Sequence, residues 1–449
     1  MSAAKVSDLT LGNYLKIVSK GAVYNNLSED SPIWDMISKK KKGPAEGRQL
    51  RLLLRSAYGA AAAGFVPVSG GAYPNAAQAT VNELQAEYKD FALTVEVERT
   101  LIAKAMSDFS RYGEPLAEEL RAKSIALSRQ LSRAAYADGT GVLGTISSVA
   151  AGGTNDAVIT LNTANTARGS VGWFEQGDKV QVYENTGVTA QTINSPAVTP
   201  DYWVVQSKSR DDNTVTLRPF DSSNVQISYA TAGSIGSADL IYRTQQTVRA
   251  DLSSTVTADY NTLSEDFAGL ETLSQNDNRK IHAVNLTGSL GGTRKDADGN
   301  PIDSQHFQQL MSQVMIAVGQ GRYKYSRAMM AWETLDALIE SRETDVRFTS
   351  MKDNKRGVES LGYQHGKNSV MFDADEFCRK DRIFVLPEAD VLQFHGSDFE
   401  FVKPEGGAKF FLKPNSTGHD RAIRTYMEGS GVLVSVHSPA IGTIENFTA

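Results

Sequence analysis

At residue 142 the texture of the chain changes, and that change limits what the whole can fold into. Before it, Leu116, Leu120, Leu127 and Leu131 recur at helical spacing, with Ala134 and Ala135 extending the stripe. This predicts a helix over 114–138. Pro115 suits its first turn, Glu118 and Glu119 stand near its start, and Arg129 and Arg133 near its end, an order that complements the helix dipole. Gly139 and Gly141 stop it. From 142 to 243 the chain is rich in Thr, Ser, Val, Asn and Gly and has no helical stripe. Strand candidates recur at Ala157–Leu161, Lys179–Glu184, Tyr202–Ser207, Thr214–Arg218 and Val225–Tyr229, with turn signals at 175–178 and 210–213. Short strands with regular turns predict a small antiparallel barrel or sandwich, inserted between the helix and a mixed region that begins near 244.

Upstream of the helix the period is two. Leu50, Leu52 and Leu54 alternate with Gln49, Arg51, Leu53 and Arg55, and Phe91, Leu93, Val95 and Val97 alternate with Ala92, Thr94, Glu96 and Glu98. The stretch between them holds Gly59, Ala60 to Ala63, Gly64, Pro67, Gly70, Gly71 and Pro74. Such a run is poor in apolar anchors, so the reading is a long hairpin with a flexible tip. One strand offers arginines and the other glutamates. These charges either pair across the hairpin or meet a neighbouring subunit. Residues 1–45 read as an arm that lies on something else: Leu9, Leu11, Leu15 and Val18 could line a short helix, and Lys39, Lys40, Lys41 and Lys42 precede the breaker Gly43-Pro44. A lysine run of this kind is commonly a solvated turn; the sharper reading is contact with nucleic acid or an acidic neighbour.

Downstream, a strand is expected over 247–253. Ser304–Gly319 is expected to be a helix with Phe307, Leu310, Met311, Val314, Met315 and Val318 on one face. Trp332–Ser341 is expected as a shorter helix with Leu335, Leu338 and Ile339 inward. Arg382–Leu386, Val391–Phe394 and Gly431–Val436 read as strands.

Chemistry-bearing motifs are missing. There is no G-x-S-x-G, H-E-x-x-H, C-x-x-C or complete P-loop, and the six histidines are scattered. Asp296-Ala297-Asp298-Gly299-Asn300 opens like a calcium loop, but Phe307 stands where the bidentate glutamate belongs, so a plain turn is expected. Cys378, the single cysteine, reads as a small buried hydrophobe. No cofactor, no metal and no catalytic residue is expected. The net charge of -6 argues against a dedicated nucleic-acid binder. No apolar run approaches the ~18 residues of a membrane span and no signal peptide is apparent, so synthesis in a cytoplasm is expected.

The order of these parts resembles the Hong Kong 97-type fold of tailed-bacteriophage major capsid proteins. Local phrases support it: Glu87-Tyr88-Lys89-Asp90-Phe91-Ala92-Leu93-Thr94-Val95-Glu96-Val97 is similar to the returning strand of that family's extended loop, and Arg382–Pro387 and Gly429–Val434 resemble its late strands. The resemblance omits the 142–243 insert and rests on element order, since the family has no short invariant motif. It implies an α+β fold with these parts: an arm (1–45), an extended hairpin loop (46–98), and a spine helix with the start of a peripheral domain (99–141). The inserted β domain (142–243) comes next, then a peripheral return (244–261), an axial domain (262–425) and a C-terminal peripheral strand (426–449).

It also implies a non-enzymatic shell subunit assembling into pentamers and hexamers of an icosahedral head around double-stranded DNA. Synthesis would be in a bacterial host, with scaffold and portal proteins as partners, room for a decoration protein, and no membrane. Arg48, Arg51, Arg55, Glu96 and Glu98 are the candidate inter-subunit contacts, and Lys39 to Lys42 the candidate contact with nucleic acid or a neighbour. Some relatives crosslink through a lysine and an asparagine; Lys89 lies on the loop, but no motif assigns such a set and crosslinking is not expected. The alternatives are an encapsulin-like compartment, a tail or adhesin protein, and an enzyme with an unrecognised site.

Overall fold

Ile33, Trp34 and Ile37 lie close together near the N-terminus, and so apolar a trio folds inward. The structure is a computed structural model. It describes residues 31–41, 48–57, 80–98, 109–152, 156–163, 169–183, 200–221, 223–227, 235–243, 266–276, 280–287, 290–319, 322–342, 351–352, 359–360, 362–365, 368–388, 390–397, 400–401, 411–414 and 420–447. Helix α1 (Ile33–Met36) runs into strand β1 (Ser38–Lys41), which pairs in parallel with residues 393–396. The Trp34 indole N–H donates to the Ser132 hydroxyl at 2.9 Å, and its ring meets Phe394 edge-on at 5.3 Å. All three apolar side chains are buried, each contributing about 1.5–3 kcal/mol. Over 31–41 the expected arm is therefore part of the body. The helix expected through Leu9–Val18 lies outside the described residues.

Strands β2 (Gln49–Ala57) and β3 (Thr80–Glu87) form a two-stranded antiparallel hairpin, in register from Gln49↔Glu87 to Leu54↔Asn82 and beyond. Strand β4 (Lys89–Glu98) does not return along β2. It leaves at buried Tyr88, whose amide donates to the Arg48 carbonyl at 2.9 Å, and pairs with residues 422–431. The hairpin expected between 48–55 and 91–97 is corrected: its return strand is Thr80–Glu87. Leu84 and Ala86 alternate inward there and cover the inward leucines of β2, while a longer partner claims Phe91–Val97. The tip, 58–79, lies outside the described residues.

Helix α2 (Phe109–Tyr136) is 28 residues long and buries Leu127, Leu131, Ala134, Ala135 and Tyr136. It begins earlier than expected. Pro115 falls inside it rather than in its first turn, where the missing N–H forgoes one helical bond.

Six strands then close a barrel in the order β10-β5-β6-β9-β8-β7. They are β5 (Val142–Ala151), β6 (Ala157–Leu161), β7 (Lys179–Tyr183), β8 (Tyr202–Ser209), β9 (Thr214–Phe220) and β10 (Leu240–Arg243). Ile159, Val180, Val182, Trp203, Val205, Val215 and Leu217 fill the interior, following the period-two alternation. The first and last strands are neighbours, with Leu240 opposite Thr145. The segment at Val225 is no strand; Val225 is exposed and only a bridge, Phe220↔Gln226, forms there. A polar seam docks the barrel on the body. Trp173 donates its indole N–H to the Phe377 carbonyl at 2.7 Å, Arg129 pairs with Glu175 and Glu376, and Arg210 donates to the Glu376 carbonyl at 3.1 Å.

Among the described residues the rest of the chain, with β1 and β4, builds two six-stranded sheets and two two-stranded ones. In order come α3 (Leu270–Leu273), β11 (Lys280–Ile281), β12 (Val284–Asn285), β13 (Thr293–Asp296), α4 (Ser304–Val318), β14 (Tyr325–Met330) and α5 (Trp332–Arg342). After them come β15 (Met351–Lys352), β16 (Glu359–Ser360), β17 (Gly362–His365), β18 (Asn368–Ala374), β19 (Arg382–Pro387), β20 (Leu392–Gly396), β21 (Glu400–Phe401), β22 (Phe411–Pro414), β23 (Asp420–Ser435) and β24 (Gly442–Glu445). The two-stranded sheets are β11-β12 and β15-β16, and one six-stranded sheet runs β13-β24-β19-β14-β18-β17. Helix α4 packs on it through Phe307, Leu310, Met311, Val314 and Val318, capped by Asp303 accepting the His306 amide at 2.9 Å.

The other sheet is organised by β23, 16 residues long, which takes β20, β21 and β22 along one edge and β4 along the other. The expected boundary between 425 and 426 therefore falls inside one strand. The expected strand over 247–253 lies outside the described residues, and Ile339 of α5 is exposed rather than inward.

One set of buried charges in the body is closely compensated. Arg379 donates to Glu271 at 2.8 Å and Asp381 at 2.9 Å, Arg382 to Glu445 at 2.6 Å, and Arg294 also pairs with Glu445. Burial raises the Glu271 pKa, opposed by Arg379 and Arg382. No helix among the described residues is long and apolar enough to cross a membrane.

Gly269, just before α3, sits on the last carbonyls of α2. A Cβ there would lie 2.3 Å from the Ala134 oxygen and 2.4 Å from that of Ala137. Gly269→Ala is expected to cost more than about 2 kcal/mol, read as a lowered denaturation midpoint. An unchanged midpoint would contradict this packing.

Candidate assembly surface

The alternation of β2 divides the hairpin into two faces. Leu50 and Leu54, with Leu84, Ala86 and Tyr88, pack on Val284, Val432 and Val434 of the body. The opposite face carries Gln49, Arg51 and Leu53, and Leu53 is 77% exposed. Arg51 Nη1 lies 3.7 Å from Glu83 Oε1, with both side chains largely in solvent, so the pair contributes about 0–1 kcal/mol. Arg48 at the hairpin base is exposed. Arg55 holds the register position opposite Val81. Among the described residues β2 has no strand partner on its outer edge.

Glu96 and Glu98 are not across from these arginines. They stand on β4, opposite Arg424 and Ala422 of β23, and Glu83, Gln85 and Glu87 face β2 instead. The period-two alternation of Val81, Glu83, Gln85 and Glu87 with Leu84 and Ala86 was the sequence signal for that strand.

The lysine run is a paired strand. Lys39, Lys40 and Lys41 oppose Phe394, His395 and Gly396 in register. Lys39 is exposed, while Lys40 Nζ lies 3.0 Å from Asp390 Oδ2. Hydrogen bonds from Ser38 and Lys40 hold the Asp390 carboxyl below its usual range. Lys42 lies outside the described residues. Part of this charge is thus met within the chain; burial lowers the Lys39 pKa, opposed by Asp35.

The remaining sequence candidates resolve locally. Asp296 accepts the Asp298 amide at 2.8 Å and the Asn446 side-chain amide at 2.9 Å, and Asp298 and Gly299 take positive φ. The loop is closed by its own backbone as a turn. Cys378 is buried, and burial pushes its thiol well above the ordinary value. Among the described residues no three His, Cys, Asp or Glu side chains group as metal ligands.

The surface geometry makes an energetic prediction. Arg51→Ala and Glu83→Ala should each move stability by no more than about 0.5 kcal/mol, with a double-mutant coupling below about 1 kcal/mol. Urea denaturation of the four proteins checks this; a coupling above about 2 kcal/mol would mean the pair is not the exposed one described.

No family model matches the chain, and no curated protein matches it. Solved structures do. The capsid asymmetric unit of cyanophage A-1(L) is 10% identical, covering 94% of this chain and 93% of its own, at a TM-score of 0.44. The capsid of a native GTA particle is 10% identical, covering 92% and 89%, at 0.42. A virus-like particle from Pyrococcus furiosus is 6% identical, covering 96% and 99%, at 0.39.

Proposed function

We propose that this chain is the subunit of a closed protein shell, a major capsid protein of a tailed bacteriophage that assembles into pentamers and hexamers around double-stranded DNA. The observation that carries the reading is the hairpin. Its inner face is seated on the body, while its outer face presents Arg48, Arg51 and an exposed Leu53 beside a strand edge with no partner among the described residues. A bare edge with an exposed leucine invites association unless something covers it. A second copy of the chain covers it in this reading, and closed symmetry repeats the contact around the shell. The sequence resemblance supports the same assignment.

The other parts take their roles from this. The stiff body of two sheets carries the hairpin's position from one subunit to the next. The barrel, entered and left on neighbouring strands, is an inserted domain standing apart from the assembly contacts. The lysine run supplies local attraction for packaged DNA or an acidic neighbour, weakened by salt where the contact stays exposed. Scaffold and portal proteins are the expected partners, and the subunit is made in the host cytoplasm.

Negative-stain electron microscopy of the full chain, alone and co-expressed with neighbouring genes, tests the assignment. Closed shells or rings of five and six are expected. Arg51→Glu with Arg55→Glu, and separately Leu53→Glu, should abolish particles while circular dichroism and the denaturation midpoint stay as in the unaltered chain. Normal particles from both variants would defeat the hairpin's role. Nuclease-protected DNA in particles from producing cells separates a genome shell from a compartment filled with protein.

A further inference from the structure

The β2–β3 hairpin and the body meet over a small apolar cavity, and two histidines stand in its wall. His282 and His437 line it with Leu54 and Leu84 of the hairpin and with Val284 and Pro439 of the body. His282 is 1% exposed. It opens the two-residue turn between β11 and β12, where it takes φ 53° and Ala283 takes φ 67°. Both positive angles belong to the hairpin turn that Asn-Gly fills without strain and His-Ala does not. The His282 carbonyl accepts the Gln85 amide at 2.8 Å, a backbone bond that ties β3 to the body. One residue thus joins a strained turn, an apolar cavity and the hairpin's attachment.

The surroundings oppose a second charge. His282 faces the Leu433 carbonyl and Lys89 at the start of β4, which lies 3.9 Å from Glu87. His437 packs on the Tyr323 ring at 5.6 Å and faces Arg322, and its Nδ1 has no hydrogen-bond partner among the described residues. Burial first, then Lys89, lowers His282 to about 4 against the opposing pull of the Leu433 carbonyl. Burial first, then Arg322, lowers His437 to about 4.

We propose that this junction is an acid-operated latch, in which protonation of His282 and His437 unseats the β2–β3 hairpin while the two main sheets stay folded. The seated state binds fewer protons than the open one. Its stabilisation is therefore complete above pH 6.5, the ordinary histidine value, and is lost as the pH falls towards 4. At pH 5 the opening equilibrium shifts by about 30-fold for each histidine. The latch belongs to the isolated chain and does not rest on the shell assignment.

Hydrogen exchange of the full-length chain, followed by mass spectrometry between pH 7.5 and 4.5 and corrected for intrinsic rates, tests it. Protection of 49–57 and 80–87 should fall at least about 30-fold by pH 5 while 325–330 and 382–387 stay protected. His282→Asn with His437→Phe should remove that step, since Asn tolerates the positive φ without titrating. Three results would each overturn the latch: unchanged hairpin protection to pH 4.5, equal loss in the double variant, or loss together with the main sheets. Histidine NMR titration of the unaltered chain gives a reading independent of the variants, and an imidazole at position 282 titrating near 6.5 would also overturn it.

Discussion

Strand β23 is used on every side, and the rest of the body follows from that demand. Its edges take β20, β21 and β22 on one side and β4 on the other. Its faces are divided at the C-terminal end: Leu433 enters the main core, while Val432 and Val434 form the floor under the hairpin. A strand buried on both faces tolerates no slip, because a one-residue shift exchanges the two sets of side chains. Gly431 shows how tight the fit is, for a Cβ there would meet the Phe394 ring at 2.3 Å. Phe394 in turn packs against Trp34 and Phe267, so the N-terminal segment and the chain returning from the barrel are ordered by the same contact.

Around this strand the fold relies on compensated charge as well as apolar burial. The chain of Arg379, Glu271, Arg382, Glu445 and Arg294 crosses from α3 to the second sheet. A second seam through Arg129, Arg210, Glu376 and Trp173 holds the barrel. Removing one member of the first, buried set strands its partners in low dielectric, at a cost of about 3–5 kcal/mol. Such seams make the junctions specific in geometry more than they add net stability. Asp375 does the same for the N-terminus: its buried carboxylate accepts from Ser31, from the Tyr136 hydroxyl at 2.9 Å and from the Phe377 amide at 3.0 Å.

The hairpin differs from both seams. It is attached through a small apolar patch and few polar bonds, and its outer face carries charges whose mutual pairing is weak in water. An element with a shallow seat and an edge that has no strand partner among the described residues is suited to exchange one partner for another. The proposed assembly contact uses its outer face and the proposed acid release its seat.

Much of this was legible in the residues. The stripes of α2 and α4, the inward leucines of β2 and the barrel strands at 157–161 and 179–183 follow from periodicity, because side-chain burial on one face needs only local repetition. The outward arginines could be placed for the same reason. What periodicity cannot say is which strand lies beside which. Glu96 and Glu98 alternate as well as Glu83 and Glu87 do, yet the former stand on a strand that β23 occupies and the latter on the hairpin. The lysines at 39–41 read as a free charged run, and only the parallel pairing with β20 shows them as an edge strand with Lys40 neutralised by Asp390. His282 and His437 are 155 residues apart in a chain with no motif linking them. Their common cavity exists because the hairpin, the β11–β12 turn and the end of β23 converge. Local repetition determines elements and faces; non-local pairing, decided by competition for buried edges, determines which residues meet.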